Sequence, residues 1–267
     1  MLSIDWLLIY LALGIFVGFM AGLLGIGGGG ILVPMLVSIF TYQGFAPEHV
    51  VHLALGTALA CMIVTASASL RAHALKGTVH WPLAFGLAPG IILGAYLMAR
   101  SSVTINPRAI ALFFAIFMAL IAVQMLLKWQ PKSAPGSIKP HQLIFTGLGI
   151  GAISALATVG GGFLTLSYLS YKNIDIKKAI GTSAAIGLPI AVAGTLGYIS
   201  SGSSQAFNSP YTLGFVHWPA LCVLALSSML AAPLGVRCAS YLAPIYLKRI
   251  FALVSLALSV KMLVAVF

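Results

Sequence analysis

The chain has 267 residues, of which 61% are hydrophobic and only 6% charged, and its mean hydropathy is +1.09. Soluble domains carry about 25% charged residues, so these values exclude one and describe a polytopic membrane protein. The net charge of +11 would suggest a nucleic-acid partner for a soluble chain, but here the Lys and Arg residues sit at the ends of apolar runs and read as topology signals, so none is expected.

Apolar runs between polar loops predict ten segments, at about 6–24, 29–40, 51–70, 81–99, 107–128, 141–158, 163–171, 179–199, 212–236 and 244–267. The opening residues, Met1 to Trp6, lack the basic stretch of a signal peptide and are read as retained. The first run ends in Gly25-Ile26-Gly27-Gly28-Gly29-Gly30, and the sixth in Thr158-Val159-Gly160-Gly161-Gly162-Phe163. Each glycine weakens a helix by about 1 kcal/mol relative to alanine, so both runs should break there. The second and seventh segments would rise only about 18 and 14 Å as helices, against a hydrocarbon core of about 30 Å, so each is expected to turn back as a re-entrant half-helix. The polar stretches at 130–141 and 200–211 are only loop-sized, which leaves one membrane transport domain over 1–267.

The two halves resemble each other. Gly56-Thr57 recurs as Gly181-Thr182, His80-Trp81-Pro82 as His217-Trp218-Pro219, and Val123-Gln-Met-Leu as Val260-Lys-Met-Leu, at offsets of about 125 to 141 residues. The fold class predicted is therefore an all-α membrane protein built from two five-segment repeats, about 1–130 and 138–267. An odd number of segments makes the second repeat inverted, and equivalent loops do carry opposite charge: the loop at 42–50 has no Lys or Arg, whereas its counterpart has Lys172, Lys177 and Lys178. With both termini on the outer, periplasmic side of a cell inner membrane, only Arg100, Arg108 and Lys261 of the fourteen basic residues fall outside. Inverted repeats of this kind bind their cargo near the midplane, at broken helices.

A glycine turn followed by a helix start leaves backbone N–H groups unpaired, and the macrodipole adds about half a positive charge there. Two such starts facing each other would cage an anion, with Gly27, Gly28, Gly29, Gly30, Gly160, Gly161, Gly162 and Phe163 as the candidate lining. The competing reading is that the glycines allow close helix packing. Thr57, Thr182 and Ser183 are candidate hydroxyl donors to the anion, against the alternative that they bond back to their own helices, and Thr158 could donate from the second break itself. His52 is a candidate proton relay. His80 and His217 read as part of a structural start signal, with Trp at the interface and Pro in the first helical turn. Cys61, Cys222 and Cys238 read as buried apolar fillers. The only carboxylates, Asp5, Glu48 and Asp175, lie at segment ends, which argues against a pump working through a buried acid and against a cation as cargo. Neither glycine run is followed by Lys-Ser or Lys-Thr, and no HExxH or GxSxG motif is present, so no enzyme, cofactor or metal is expected.

The run from Gly18 to Pro34 through the first glycine turn, the second-half Gly160-Gly161-Gly162-Phe163, and Gly181-Thr182-Ser183 resemble the TauE/SafE family of sulfite exporters, the toluene sulfonate uptake permease superfamily, over essentially the whole chain. The resemblance implies secondary transport of sulfite, sulfonates and related sulfur anions, with export favoured. A passive anion channel using the same site and a non-transport assembly component are the alternative readings. The expected partners are a small anion and the lipid bilayer, and a homo-oligomer is left open. Where the first repeat has Gly30 and Pro34 the second has Phe163 and Ser167, so the cage is expected to be lopsided.

Overall fold

The computed structural model describes residues 4–24, 28–127, 140–159, 161–204, 211–241 and 244–266. Gly27, Gly160 and the loop lysines Lys128, Lys132 and Lys139 lie outside the described residues. Ten helices follow in chain order: α1 (Ile4–Leu24), α2 (Gly29–Tyr42), α3 (Pro47–Leu75), α4 (Trp81–Ser102), α5 (Pro107–Leu127), α6 (Pro140–Ala157), α7 (Gly162–Tyr171), α8 (Ile176–Ser204), α9 (Trp218–Tyr241) and α10 (Pro244–Val266). The boundaries have local causes. Proline occupies the first or second position of α3, α4, α5, α6, α9 and α10, where its missing N–H costs nothing. Asp175 precedes α8 and its Oδ1 accepts from the amides of Lys177 and Lys178, at 3.1 and 3.2 Å. The two short helices end alike. Gly44 after α2 and Asn173 after α7 have φ of 79° and 61°, and the bonds Phe45 N to Phe40 O and Ile174 N to Leu169 O close the last turn of each.

One segment differs from the sequence expectation. The ninth begins at 218 rather than 212, because Thr212–Leu213 (β1) and Val216–His217 (β2) form a small antiparallel hairpin. Its turn glycine, Gly214, has φ of 54°. The cysteines are corrected too: Cys61 is buried, whereas Cys222 and Cys238 are exposed on the flanks of α9, where side chains of an outer helix meet lipid rather than core.

Among the described residues six helices, α1, α3, α4, α5, α8 and α9, are long and apolar enough to cross a bilayer. Of these, α3 and α8 form the centre: 78% and 67% of their apolar windows are buried, against 39–44% for the other four. Around the α3–α8 pair, α1 packs on α9 and α6 on α4, α2 lies on α3 and α7 on α8, α4 meets α8 as α9 meets α3, and α5 pairs with α10. Shifting every helix number by five maps this set of neighbours onto itself. Close approach at α1–α9 and α4–α6 rests on small residues spaced by four. A Cβ on Gly18 would strike the backbone of Ser228, and one on Gly151 the carbonyl of Ile91. The widest contact that breaks the exchange is that of α2 on α10, since α7 has no comparable contact with α5 among the described residues.

Candidate functional site

The glycine residues do break the apolar runs. Helix α1 stops at Leu24 and α2 starts at Gly29; α6 stops at Ala157 and α7 starts at Gly162. The residues before the two short helices, Gly28 and Gly161, share the left-handed conformation, with φ of 72° and 55°, and neither helix start has a side-chain cap. That conformation is cheap for glycine and unfavourable for other residues. Gly28 O accepts from the amides of Ile31 and Leu32, both at 3.1 Å, and Gly161 O accepts from Thr165 N at 2.9 Å. The earliest amides of each helix therefore face out along the axis, as at any helix start.

The start of α2 lies against the second break. A Cβ on Gly29 would run into the carbonyl oxygen of Thr158, and one on Gly30 would lie 3.5 Å from Val159 Cγ2 and 3.5 Å from Met118 Cε. The first break thus touches the residues that lead into the second, with α5 behind both. Thr158 is held at φ 47°, an uncommon conformation for a β-branched residue, and its hydroxyl donates to Ala157 O at 2.7 Å rather than into the break. Gly162 is unlike its neighbours. A Cβ there would meet nothing within 4 Å, and its φ is ordinary for a helix.

Thr57 and Thr182 occupy a different place. Thr57 Oγ1 accepts from the backbone amide of His217 at 3.0 Å, and Thr182 Oγ1 accepts from that of His80 at 2.9 Å. The glycine before each threonine lets the incoming loop come close: a Cβ on Gly56 would strike the carbonyl of Phe215, and one on Gly181 that of Thr78. Gly-Thr on one central helix is therefore a socket for the residues that precede a helix of the other half. His80 and His217 then start those helices, their Nδ1 atoms accepting from Leu83 N at 3.4 Å and Ala220 N at 3.2 Å. Thr182 also donates to Lys178 O, and Ser183 to Ile180 O. His52 is buried between α3 and the end of α4, with Nε2 at 3.1 Å from Ser102 O and Nδ1 at 3.3 Å from Glu48 O. The structure brings Gly28, Gly29, Gly30 and Thr158 together, places Gly161, Gly162 and Phe163 at the adjoining start of α7, and leaves Thr57, Thr182, Ser183 and His52 in bonds to the scaffold.

The structure holds polar groups that the sequence reading passed over. Four buried hydroxyl oxygens have no partner among the described residues: Ser154 on α6, Thr165 and Tyr168 on α7, and Ser255 on α10. Spacing could have flagged Thr165, four residues after Gly161 and so on the face of the helix start. Lys261 was expected at an outer segment end. It lies inside α10 instead, with Nζ directed at Met35 Sδ of α2 at 3.1 Å, and a thioether is a weak acceptor for an ammonium. No group of three His, Cys, Asp or Glu residues close enough to hold a metal occurs among the described residues.

The family model described as sulfite exporter TauE/SafE matches residues 10–262. A probable membrane transporter protein of Haemophilus influenzae is 30% identical over 259 residues, 97% of this chain and 98% of its own. Another, of Methanocaldococcus jannaschii, is 26% identical over 253 residues, 92% of each chain, and YdhB of Bacillus subtilis, of the same description, is 23% identical over 250 residues, 91% of this chain and 92% of its own. No solved structure matches the chain. The match runs through both glycine breaks and nearly all of the bundle, and the chain belongs to the TauE/SafE sulfite exporter family of membrane transporters.

Proposed function

We propose that the chain is a secondary transporter that exports sulfite or related sulfur-containing anions, such as sulfonates, across the cell inner membrane, holding the anion between the N-termini of α2 and α7. The observation that carries this reading is the contact between the start of α2 and the residues that lead into α7, through Gly29 and Thr158. Two helix N-termini brought to one place supply backbone N–H donors and two partial positive charges, a combination that attracts an oxyanion and repels a cation. The Lys261 ammonium, turned onto the middle of α2 at Met35, adds a full positive charge beside that helix. The family's description as sulfite exporters supports the substrate.

In this reading 1–267 is one domain of two inverted five-helix repeats, and the exchangeable helix neighbours support the duplication. The basic loops support an orientation with both termini outside. Gly27 and Gly160 extend the two turns, and Thr57, Thr182 and Ser183 hold the frame rather than the anion.

Gly162 offers the cleanest test, because it has room for a side chain. Gly162→Ala should leave the thermal midpoint unchanged or raised, since alanine favours a helix by about 0.5–1 kcal/mol. Gly162→Leu should remain assembled while its bulk, filling the space at the start of α7, lowers sulfite flux into proteoliposomes by at least about tenfold. Wild-type sulfite flux in the leucine variant would sink the proposal.

A further inference from the structure

Buried hydroxyls in this protein usually bond back to their own helix. Thr195 donates to Ala191 O at 2.7 Å, Ser183 to Ile180 O at 2.8 Å and Ser228 to Ala225 O at 3.1 Å. This habit satisfies a polar group where no water competes. Thr165 departs from it. Its side chain is completely buried, the carbonyl of Gly161 stands four residues back and already accepts the Thr165 amide, and yet the hydroxyl has no partner among the described residues. A buried hydroxyl without a hydrogen bond costs about 1–3 kcal/mol, so its orientation calls for a ligand.

Position says which ligand. Thr165 stands in the first turn of α7, and its Oγ1 lies 3.7 Å from where a Cβ on Gly161 would be, beside the outward-facing amides and the open space at Gly162. Tyr168, one turn further along α7, presents a second unpartnered hydroxyl. The equivalent positions of α2, counted from the glycine caps, are Leu32 and Met35. At these two positions, hydroxyls occur on α7 and not on α2.

We infer that Thr165 is a specificity-determining residue: its hydroxyl donates to an oxygen of the bound anion, and this contact selects oxyanions over halides of the same charge. The inference rests on the transport reading above. A spherical halide is satisfied by backbone amides and a dipole alone. An oxyanion also has acceptor oxygens pointing away from the helix axis, and the Thr165 hydroxyl meets one of these from the side. Charge attracts either ion; the lateral donor separates them.

The test uses the full-length protein, in detergent for binding and in proteoliposomes for flux, with sulfite, methanesulfonate and chloride. Thr165→Val keeps the shape and removes the donor; Thr165→Ser keeps the donor. The valine variant should lose sulfite and methanesulfonate affinity by about tenfold or more while chloride changes by less than about threefold, as loss of one hydrogen bond to a charged group implies. The serine variant should retain the wild-type ratio. Without anion the valine variant should melt at or above the wild-type temperature, because an unsatisfied hydroxyl has been removed, whereas a structural threonine would leave it less stable. An unchanged oxyanion-to-chloride ratio in Thr165→Val, or a serine variant as poor as valine, overturns the inference and leaves the transport reading standing. A wild-type protein that neither binds nor moves any of the three anions overturns both.

Discussion

A hydroxyl on an apolar helix has two uses, and Thr57 shows which one was taken. Its oxygen receives the amide of His217 inside the bundle, so Thr57→Val should leave a buried N–H unpaired and destabilise the protein by about 1–3 kcal/mol. Thr182→Val should cost less, because the matching bond to His80 is only part-buried. Thermal unfolding of both variants in detergent measures the difference. The duplication of Gly-Thr was legible in the sequence; its purpose was not. Whether a threonine faces a ligand or an incoming loop depends on what arrives from about 102 to 160 residues away. Lys261 was obscured for a similar reason. Near the end of an apolar run it looks like an interface anchor, and only the packing of α10 on α2 turns it inward. Replacing it with methionine, which keeps the reach and discards the charge, should weaken sulfite binding by about tenfold or more and leave folding intact; binding of sulfite by the purified variant decides the matter.

The helices themselves were largely written in the local code. Proline starts, glycine breaks and the polar loops between them gave ten segments with edges close to those observed. The hairpin at 212–217 escaped, since Thr-Leu-Gly-Phe-Val is indistinguishable by composition from the start of the apolar run that follows. What makes it a hairpin is tertiary: the Phe215 carbonyl rests on Gly56 and the His217 amide bonds to Thr57. His217 then starts α9 through the lone pair of Nδ1, which requires a neutral ring. Burial pushes this imidazole down from its ordinary value of 6.5 to about 4. In the unfolded chain the ring takes up a proton near 6.5, and in the folded protein only near 4. The folded state therefore binds fewer protons across that window, and its stability falls as pH drops through it. A His217→Asn variant, which keeps a side-chain acceptor at the helix start, should show a shallower decline between pH 6.5 and 4 in melting measurements.

At the scale of the molecule, the packing of α1 on α9 and of α4 on α6 decides the shape, and both seams depend on residues that have almost no side chain. Gly18 abuts the Ser228 backbone, whereas nothing lies within 4 Å of a Cβ on Gly149. Gly18→Val should cost about 1–3 kcal/mol or more as an overpacked seam, and Gly149→Val close to nothing; yield and melting temperature of the two detergent-purified variants compare them. Single-sequence reading recognised the glycine runs at the breaks because they are consecutive and duplicated. It did not distinguish seam glycines from lipid-facing ones, since spacing alone does not reveal the partner helix.

The reciprocal bonds of Thr57 and Thr182 also restrict how the molecule can move. Each ties a central helix of one half of the sequence to the start of a helix in the other, and α1 and α6 lean on helices from the opposite half as well. A rocking motion that separated residues 1–130 from 138–267 would shear both ties and both seams at once. We therefore expect the rigid bodies of a transport cycle to be chimeric, each stitched from parts of the two halves, with the order of the sequence a poor guide to where the protein flexes.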